Sequence, residues 1–321
     1  MRGELPDWRG VRILVAGDLI LDRFVYGTVR RISPEAPIPV VEVASERALP
    51  GGAANVAHNI AALGGGVTLV GAMGDDSGGR QFREVLAGVG LSTDALVEIP
   101  GRPTTVKTRI VAHHQQVVRV DREVKDPLDE RARQRVLASI ERALPGCAAL
   151  VVSDYAKGLF DPASLAAIGE MAKTAGIPYV VDPKPSHFPY PGATILTPNR
   201  AEAEGLCGHA FLVEQAGAVA EALFSRTDWA AILFTVGEEG MVLAQRGGDV
   251  EHIPARVREV YDVTGAGDTV VAVLSLAMAS GVPLPEAAHM ANAAAGVVVG
   301  KMGTATCNPE ELSRALADDL P

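Results

Sequence analysis

The chain has 321 residues, 48% hydrophobic and 21% charged, enough to bury a sizeable core in one large α/β domain. Twenty-nine basic side chains stand against 39 acidic ones, a net charge of −10, which excludes coating of nucleic acid as the main role. The 34 Gly and 21 Pro are scattered, which excludes collagen-like and low-complexity architectures.

Residues 1–10 carry several charges and lack the long apolar core and cleavage site of a signal peptide. The apolar run 11–16 predicts a first buried strand. Residues 24–43 hold few helix formers, and Pro34, Pro37 and Pro39 suit edge strands and turns. A helix is predicted over 53–63, a strand over 67–70 and a helix over 78–88. Residues 104–121 alternate, with Val106, Thr108 and Ile110 on one face and Lys107, Arg109 and Val111 on the other. Helices over 129–143 and 162–174 then alternate with strands over 149–152 and 179–181. Strands over 194–196 and 231–235 flank a helix over 215–224. The run 270–276, which extends to Met278, is too short to span a bilayer and predicts a buried helix.

These strands are apolar on both faces, as in a sheet covered by helices. The fold class expected is α/β, a doubly wound, mostly parallel sheet. Segments 24–43 and 104–121 are expected to form a small antiparallel β lid, inserted in a single domain over 1–321. Cys147, Cys207 and Cys307 have neither metal nor disulfide spacing and read as buried free thiols in a reducing cytoplasm. His113 and His114 lack a third ligand and read as surface residues. No membrane partner is expected.

Walker-type and dinucleotide-binding glycine motifs are both absent. The strongest local signal is Asp262-Val-Thr-Gly-Ala-Gly-Asp268, ahead of the buried helix. Gly265 and Gly267 allow close backbone approach, and the amides of Gly265, Ala266 and Gly267 at a helix start suit phosphate oxygens. Phosphoryl transfer needs positioning, charge stabilisation and a base, so Asp268 is the candidate to take a proton from the attacking hydroxyl. Gly51-Gly-Ala-Ala-Asn55 forms a second glycine-rich turn. Asn199 and Glu202, after a buried strand, could hold a hydrated Mg²⁺.

Together these residues resemble the ribokinase-like (PfkB) carbohydrate kinases over nearly the whole chain. Gly51 to Asn55, with Ala57, Gly64 and Gly74, fits the N-terminal signature, and Asp262 to Asp268 fits the C-terminal one. Gly17-Asp-Leu-Ile-Leu-Asp22, Arg31 to Pro37, Ser153-Asp-Tyr-Ala-Lys-Gly158 and Ala291 to Lys301 are similar to the D-glycero-β-D-manno-heptose-7-phosphate kinases within that family. The resemblance implies ATP and Mg²⁺ as cofactors and a 1,7-bisphosphate product on the way to ADP-heptose and lipopolysaccharide. It implies Asp268 as base, Gly265, Ala266 and Gly267 as anion hole, and Asn199 and Glu202 as the Mg²⁺–phosphate motif. Thr235, Gly237, Gly240 and Asn292 match nucleotide-site positions, and Asp18, Gly51, Gly52 and Asn55 match sugar-binding ones. Asp262 and Thr264 match positions around a monovalent-cation site, so K⁺ use is an open expectation. Many such kinases are fused to an adenylyltransferase with an H-x-G-H motif. That motif is absent here, so a stand-alone kinase is expected, served by a separate phosphatase and adenylyltransferase.

An acceptor that already carries a phosphate needs cations remote from Asp268. Lys157, Lys184 and Arg109 are the candidates. Asp182 is assigned either to hold Lys184 or to bind a sugar hydroxyl. A half-apolar lid would leave one face and an edge bare, and relatives dimerise through it, so a homodimer is expected. The competing readings are a kinase of this fold for another sugar and a catalytically silent sugar- or nucleotide-binding regulator.

Overall fold

The computed structural model describes residues 5–113, 115–255 and 260–317. The chain opens with β1 (Arg12–Gly17), leaves for the hairpin β2 (Leu19–Ile32) and β3 (Pro39–Gly52), and returns through α1 (Ala53–Ala62) and β4 (Gly66–Val70). The short strands β5 (Ala72–Gly74) and β6 (Val97–Ile99) bracket α2 (Ser77–Gly88), and a second hairpin follows, β7 (Val106–Ala112) and β8 (Gln115–Arg122). Next come α3 (Glu130–Ala143), β9 (Ala149–Ser153), α4 (Pro162–Ala175), β10 (Tyr179–Asp182) and β11 (Ile195–Leu196). Then α5 (Arg200–Cys207) and α6 (Ala216–Phe224) lead to β12 (Ala231–Thr235), β13 (Met241–Gln245) and β14 (Val250–Ile253). Three helices close the chain, α7 (Ala266–Ala279), α8 (Leu284–Val299) and α9 (Pro309–Ala317).

The main sheet runs β14-β13-β12-β11-β10-β9-β1-β4, parallel from β12 to β4, with β13 and β14 added antiparallel at one edge. Alternate side chains of each strand feed two separate cores. Ile13, Val15, Val151 and Leu233 pack under α1, α7 and α8, while Leu14, Val152, Val181 and Phe234 pack under α3, α4 and α6. Helix α7 is buried without interruption from Asp268 to Ala277, which explains its apolar sequence.

The lid is the four-stranded sheet β3-β2-β7-β8. It is built from two antiparallel hairpins whose inner strands, β2 and β7, pair in parallel. Its first hairpin is longer than the expected 24–43, because Leu19, Ile20, Leu21 and Phe24 are buried and their apolar character hides where the strand leaves the core. Pro34 and Pro37 lie in the turn between β2 and β3, and Pro39 opens β3. Cys147 and Cys307 are buried and Cys207 half-buried, all free. His113 is exposed at the turn of the second hairpin, and His114 lies outside the described residues. Among the described residues no helix is long and apolar enough to cross a membrane, and no group of His, Cys, Asp or Glu has metal-binding geometry.

Candidate active site

The parallel strands end in a row of polar side chains. β1 runs into Asp18, β9 into Asp154, and β10 ends on Asp182, while Asn199, beyond β11, bridges Thr235 at the end of β12. Register makes the row: Gly17 and Asp182 both flank Ser153. The Asp18 amide donates to the Ser153 carbonyl at 3.1 Å, and the Asp154 amide to the Asp182 carbonyl at 3.1 Å. Ligands of open α/β sheets collect at this carboxyl end.

Asp268 meets the row from the first turn of α7. Gly265 caps that helix with φ 83°, and a Cβ there would lie 2.6 Å from Asn55 Nδ2, so both conformation and space demand glycine. Asn55 Nδ2 donates to Asp268 Oδ2 at 2.7 Å, and the Tyr155 hydroxyl donates to Oδ1 at 2.9 Å. Asn55 is set in turn by Asn59, whose Nδ2 donates to the Asn55 carbonyl at 2.9 Å and whose Oδ1 accepts from Thr269 at 2.9 Å. Burial pushes the Asp268 pKa up to about 6, against the two hydrogen bonds that favour its ionised form. A Cβ on Gly267 would meet nothing within 4 Å, so space lies open beside the helix start. The Ala266 amide, by contrast, is already engaged with the Val263 carbonyl at 3.3 Å.

Asp18 is buried, and its Oδ2 accepts the Tyr155 amide at 2.8 Å and the Lys157 amide at 3.2 Å. Burial and the neighbouring Asp154 push its pKa up to about 6. Gly51 and Gly52 end β3. A Cβ on Gly51 would lie 2.0 Å from Asp22 Oδ2, and one on Gly52 2.5 Å from the Asp18 carbonyl oxygen. The two glycines therefore let the lid press Asp22 and Asp18 against the start of α1.

Each cation expected to read the remote phosphate already has an acidic partner. Arg109 pairs with Asp22 and Lys184 with Glu202, and Lys157 Nζ lies 2.6 Å from Glu123 Oε2. Lys107 has no ion pair among the described residues. It lies 5.7 Å from the Tyr155 ring centroid, and Lys184 lies 5.2 Å from the same ring. Burial and the charge of Lys157 pull the Lys107 pKa down. Lys184 Nζ bonds Glu202 and not Asp182, so the first of the two roles open to Asp182 lacks its hydrogen bond. Burial and Glu202 push the Asp182 pKa up.

Asn199 and Glu202 form a reciprocal capping box on α5: Asn199 Oδ1 accepts the Glu202 amide at 3.0 Å, and Glu202 Oε2 accepts the Asn199 amide at 2.9 Å. With Oε1 on Lys184, both Glu202 oxygens are engaged. This all-oxygen set fits a hydrated Mg²⁺ reached through water rather than ligated directly. Gly237 (φ 65°) and Gly240 (φ 90°) turn the chain after β12, and a Cβ on Gly240 would strike the Ile253 carbonyl oxygen at 2.1 Å. Asn292 on α8 donates to the Pro254 carbonyl at 2.9 Å. Asp262 accepts the Thr264 amide at 2.9 Å and the Gly303 amide at 3.1 Å, tying the turn before α7 to the loop after α8.

Direct contacts thus unite Asp268, Asn55 and, through residue 155, Asp18. Asn292, Asp262 and Thr264 share no hydrogen bond with that group. Three residues escaped sequence reasoning: Tyr155, Asp22 and Asp154. All lie inside the quoted segments 153–158 and 17–22, but only folding reveals that Tyr155 reaches Asp268 and that Asp22 holds Arg109.

The family described as pfkB family carbohydrate kinase matches residues 12–311. The bifunctional protein HldE of Paramagnetospirillum magneticum is 48% identical over 311 residues, 96% of this chain and 64% of that relative. The chain therefore spans just under two thirds of that relative's length. Arabidopsis thaliana ribokinase, solved with ribose and ATP, superposes with a TM-score of 0.73 at 21% identity, covering 96% of this chain and 99% of its own. Escherichia coli phosphofructokinase-2, solved with substrates and products, gives 0.78 at 18% identity, covering 96% and 98%. Both share the fold of this chain over nearly its whole length. With the signature glycines, Asp268 and this match over almost its full length, the chain belongs to the pfkB family of carbohydrate kinases.

Proposed function

We propose that the protein transfers the γ-phosphoryl group of ATP to the C1 hydroxyl of D-glycero-β-D-manno-heptose 7-phosphate, releasing ADP and the 1,7-bisphosphate. The observation that carries this is Asp268, buried at a helix start, bonded to Asn55 and Tyr155, with lysines gathered around the same Tyr155 ring. Asp268 takes the C1 hydroxyl proton as the phosphoryl group moves. The amides of Gly265 and Gly267, which make no hydrogen bond to a backbone carbonyl among the described residues, stabilise the phosphoryl oxygens. Asp18 accepts from sugar hydroxyls, and Asn55, with Gly51 and Gly52 making room, donates to them. Lys157, Lys184 and Arg109 serve the 7-phosphate, which competes with their carboxylate partners, and Asp182 serves a sugar hydroxyl.

Thr235, Gly237 and Gly240 line the nucleotide, with Asn292 near the adenine. Asn199 and Glu202 would hold a hydrated Mg²⁺ through water, and the ion would supply charge neutralisation at the phosphates. Asp262 and Thr264 would stand by a K⁺ ion if one is used. The chain works as a kinase domain in the cytoplasm, and a phosphatase and an adenylyltransferase act on its product in turn. Ile32, Ile38, Val43, Val117, Val118 and Val120, all on the lid, are 39–59% exposed, and a second copy of the chain covers them in a homodimer. The test is ADP release with Mg²⁺-ATP against heptose 7-phosphate, unphosphorylated heptose, ribose and fructose 6-phosphate. Preference for heptose 7-phosphate supports the reading. Turnover of another acceptor discards the substrate assignment, and silence across the panel discards the kinase.

A further inference from the structure

Asp154 has no role in the chemistry above, yet it is wholly buried and its carboxylate has three partners. Oδ1 accepts the Ala156 amide at 2.7 Å. Oδ2 accepts the Tyr190 hydroxyl at 2.6 Å and faces His187 Nδ1 at 2.5 Å. Ala156 and Tyr190 both have left-handed backbones, φ 51° and 50°, a conformation that non-glycine residues keep only where their surroundings impose it. One carboxylate therefore grips two strained residues.

Each strained residue belongs to a loop that carries site groups. The loop after β9 sends the Tyr155 and Lys157 amides to Asp18 and the Tyr155 hydroxyl to Asp268. The loop after β10 carries Lys184, whose backbone amide donates to the Tyr190 hydroxyl oxygen at 2.7 Å. A phenol has one proton to give. With that proton on Asp154, its oxygen is left to accept from Lys184.

We propose that Asp154, clamped by His187 and Tyr190, is the positioning residue that holds these two loops in register, so that Asp18, Asp268 and Lys184 meet one acceptor sugar together. The identity of that sugar rests on the proposed function; the clamp itself does not. His187 is its titratable member, and at 17% side-chain exposure it can exchange a proton with solvent. Its hydrogen bond to Asp154 raises the imidazole pKa, with burial opposing and Asp18 and Asp161 adding to the rise. Asp154 itself faces His187, Tyr190, Tyr179, Asp18, Asp182 and Lys184. As pH rises and His187 loses its proton, the buried carboxylate loses its countercharge and the clamp slackens.

The test compares Asp154→Asn, His187→Gln and Tyr190→Phe with the unaltered chain, each first shown to fold by circular dichroism. In the His187 and Tyr190 variants the acceptor KM rises about tenfold, the scale of one lost charged hydrogen bond, while the ATP KM stays within about twofold. A purely structural lesion would lower the active fraction and leave both KM values unmoved. Without any substrate, amide hydrogen exchange at residues 155–157 accelerates at least ~10-fold while β1 and β9 stay protected. The alkaline fall in kcat/KM disappears in His187→Gln, because glutamine keeps a donor and does not titrate. Folded His187→Gln and Tyr190→Phe proteins with unchanged acceptor KM and unchanged exchange at 155–157 overturn the proposal. If Asp154→Asn fails to fold, these two variants decide alone. Accelerated exchange in a protein that ignores heptose 7-phosphate sinks the substrate assignment and leaves the clamp standing.

Discussion

Asp268→Asn removes the proposed base but keeps the side chain's shape, and its two effects run in opposite directions. Turnover falls by ~10²–10⁴-fold, the usual cost of a lost general base. Stability at neutral pH rises. Asp268 ionises near pH 6 in the fold against an ordinary 3.8, because burial disfavours the charge. Such a group contributes its stability below its unfolded pKa and loses it as pH rises through 6. By pH 7.5 that loss is about 3 kcal/mol, and an asparagine, which never ionises, escapes it. The new amide cannot accept from both Asn55 and Tyr155, which returns about 1–2 kcal/mol of the gain. Scanning calorimetry at pH 7.5 should therefore place the variant's Tm above that of the unaltered chain by roughly 1.5–3 °C. At pH 4 the advantage should vanish or reverse. A lower Tm for the variant at pH 7.5, or turnover within about threefold of the original, would refute the reasoning.

Gly265→Ala forces a left-handed alanine and a Cβ 2.6 Å from Asn55 Nδ2; a loss of ~1–2 kcal/mol in urea unfolding is expected, with activity down at least tenfold. Asn55→Ala removes a hydrogen bond that favours ionised Asp268, so the acid limb of the kcat/KM profile, near pH 6 in the unaltered chain, moves upward. An acid limb left in place would show that Asp268 does not set it. Val118→Glu with Val120→Glu puts charge on the exposed lid face, and sedimentation velocity should show a dimer becoming a monomer. A monomer before substitution would remove the lid interface.

The central strands were legible because burial on both faces leaves continuous apolar runs, as in residues 11–16 and 149–152. Strands β13 and β14 escaped because they are only five and four residues long, and β14, at the sheet edge, is mostly unburied and half polar. The lid strand β2 begins at Leu19 rather than at the expected residue 24, because Leu19, Ile20, Leu21 and Phe24 are buried with the core while they run in the lid. At the site, the glycines around residue 265 carry a local signal, since a helix start needs only neighbours in sequence. Charge pairing carries none. Nothing near Lys157 or Arg109 in the chain says that Glu123 and Asp22 await them across the lid, and the partners of Asp154 arrive from 33 and 36 residues away.

The bond between Asn55 and Asp268 joins residues 213 apart, and the one between Tyr155 and Asp268 joins residues 113 apart. Such closures are among the last contacts a chain can form, because their loop entropy must be overcome before they return anything. No fragment that ends before α7 contains this site, and a state that has not closed these loops does not present it. Whatever occupies the site therefore binds the completed fold alone, and its binding energy bears on the whole molecule's unfolding equilibrium. For a variant weakened anywhere in the two cores, saturating ligand is thus a stabiliser acting at a distance, and resistance to proteolysis becomes a readout of occupancy.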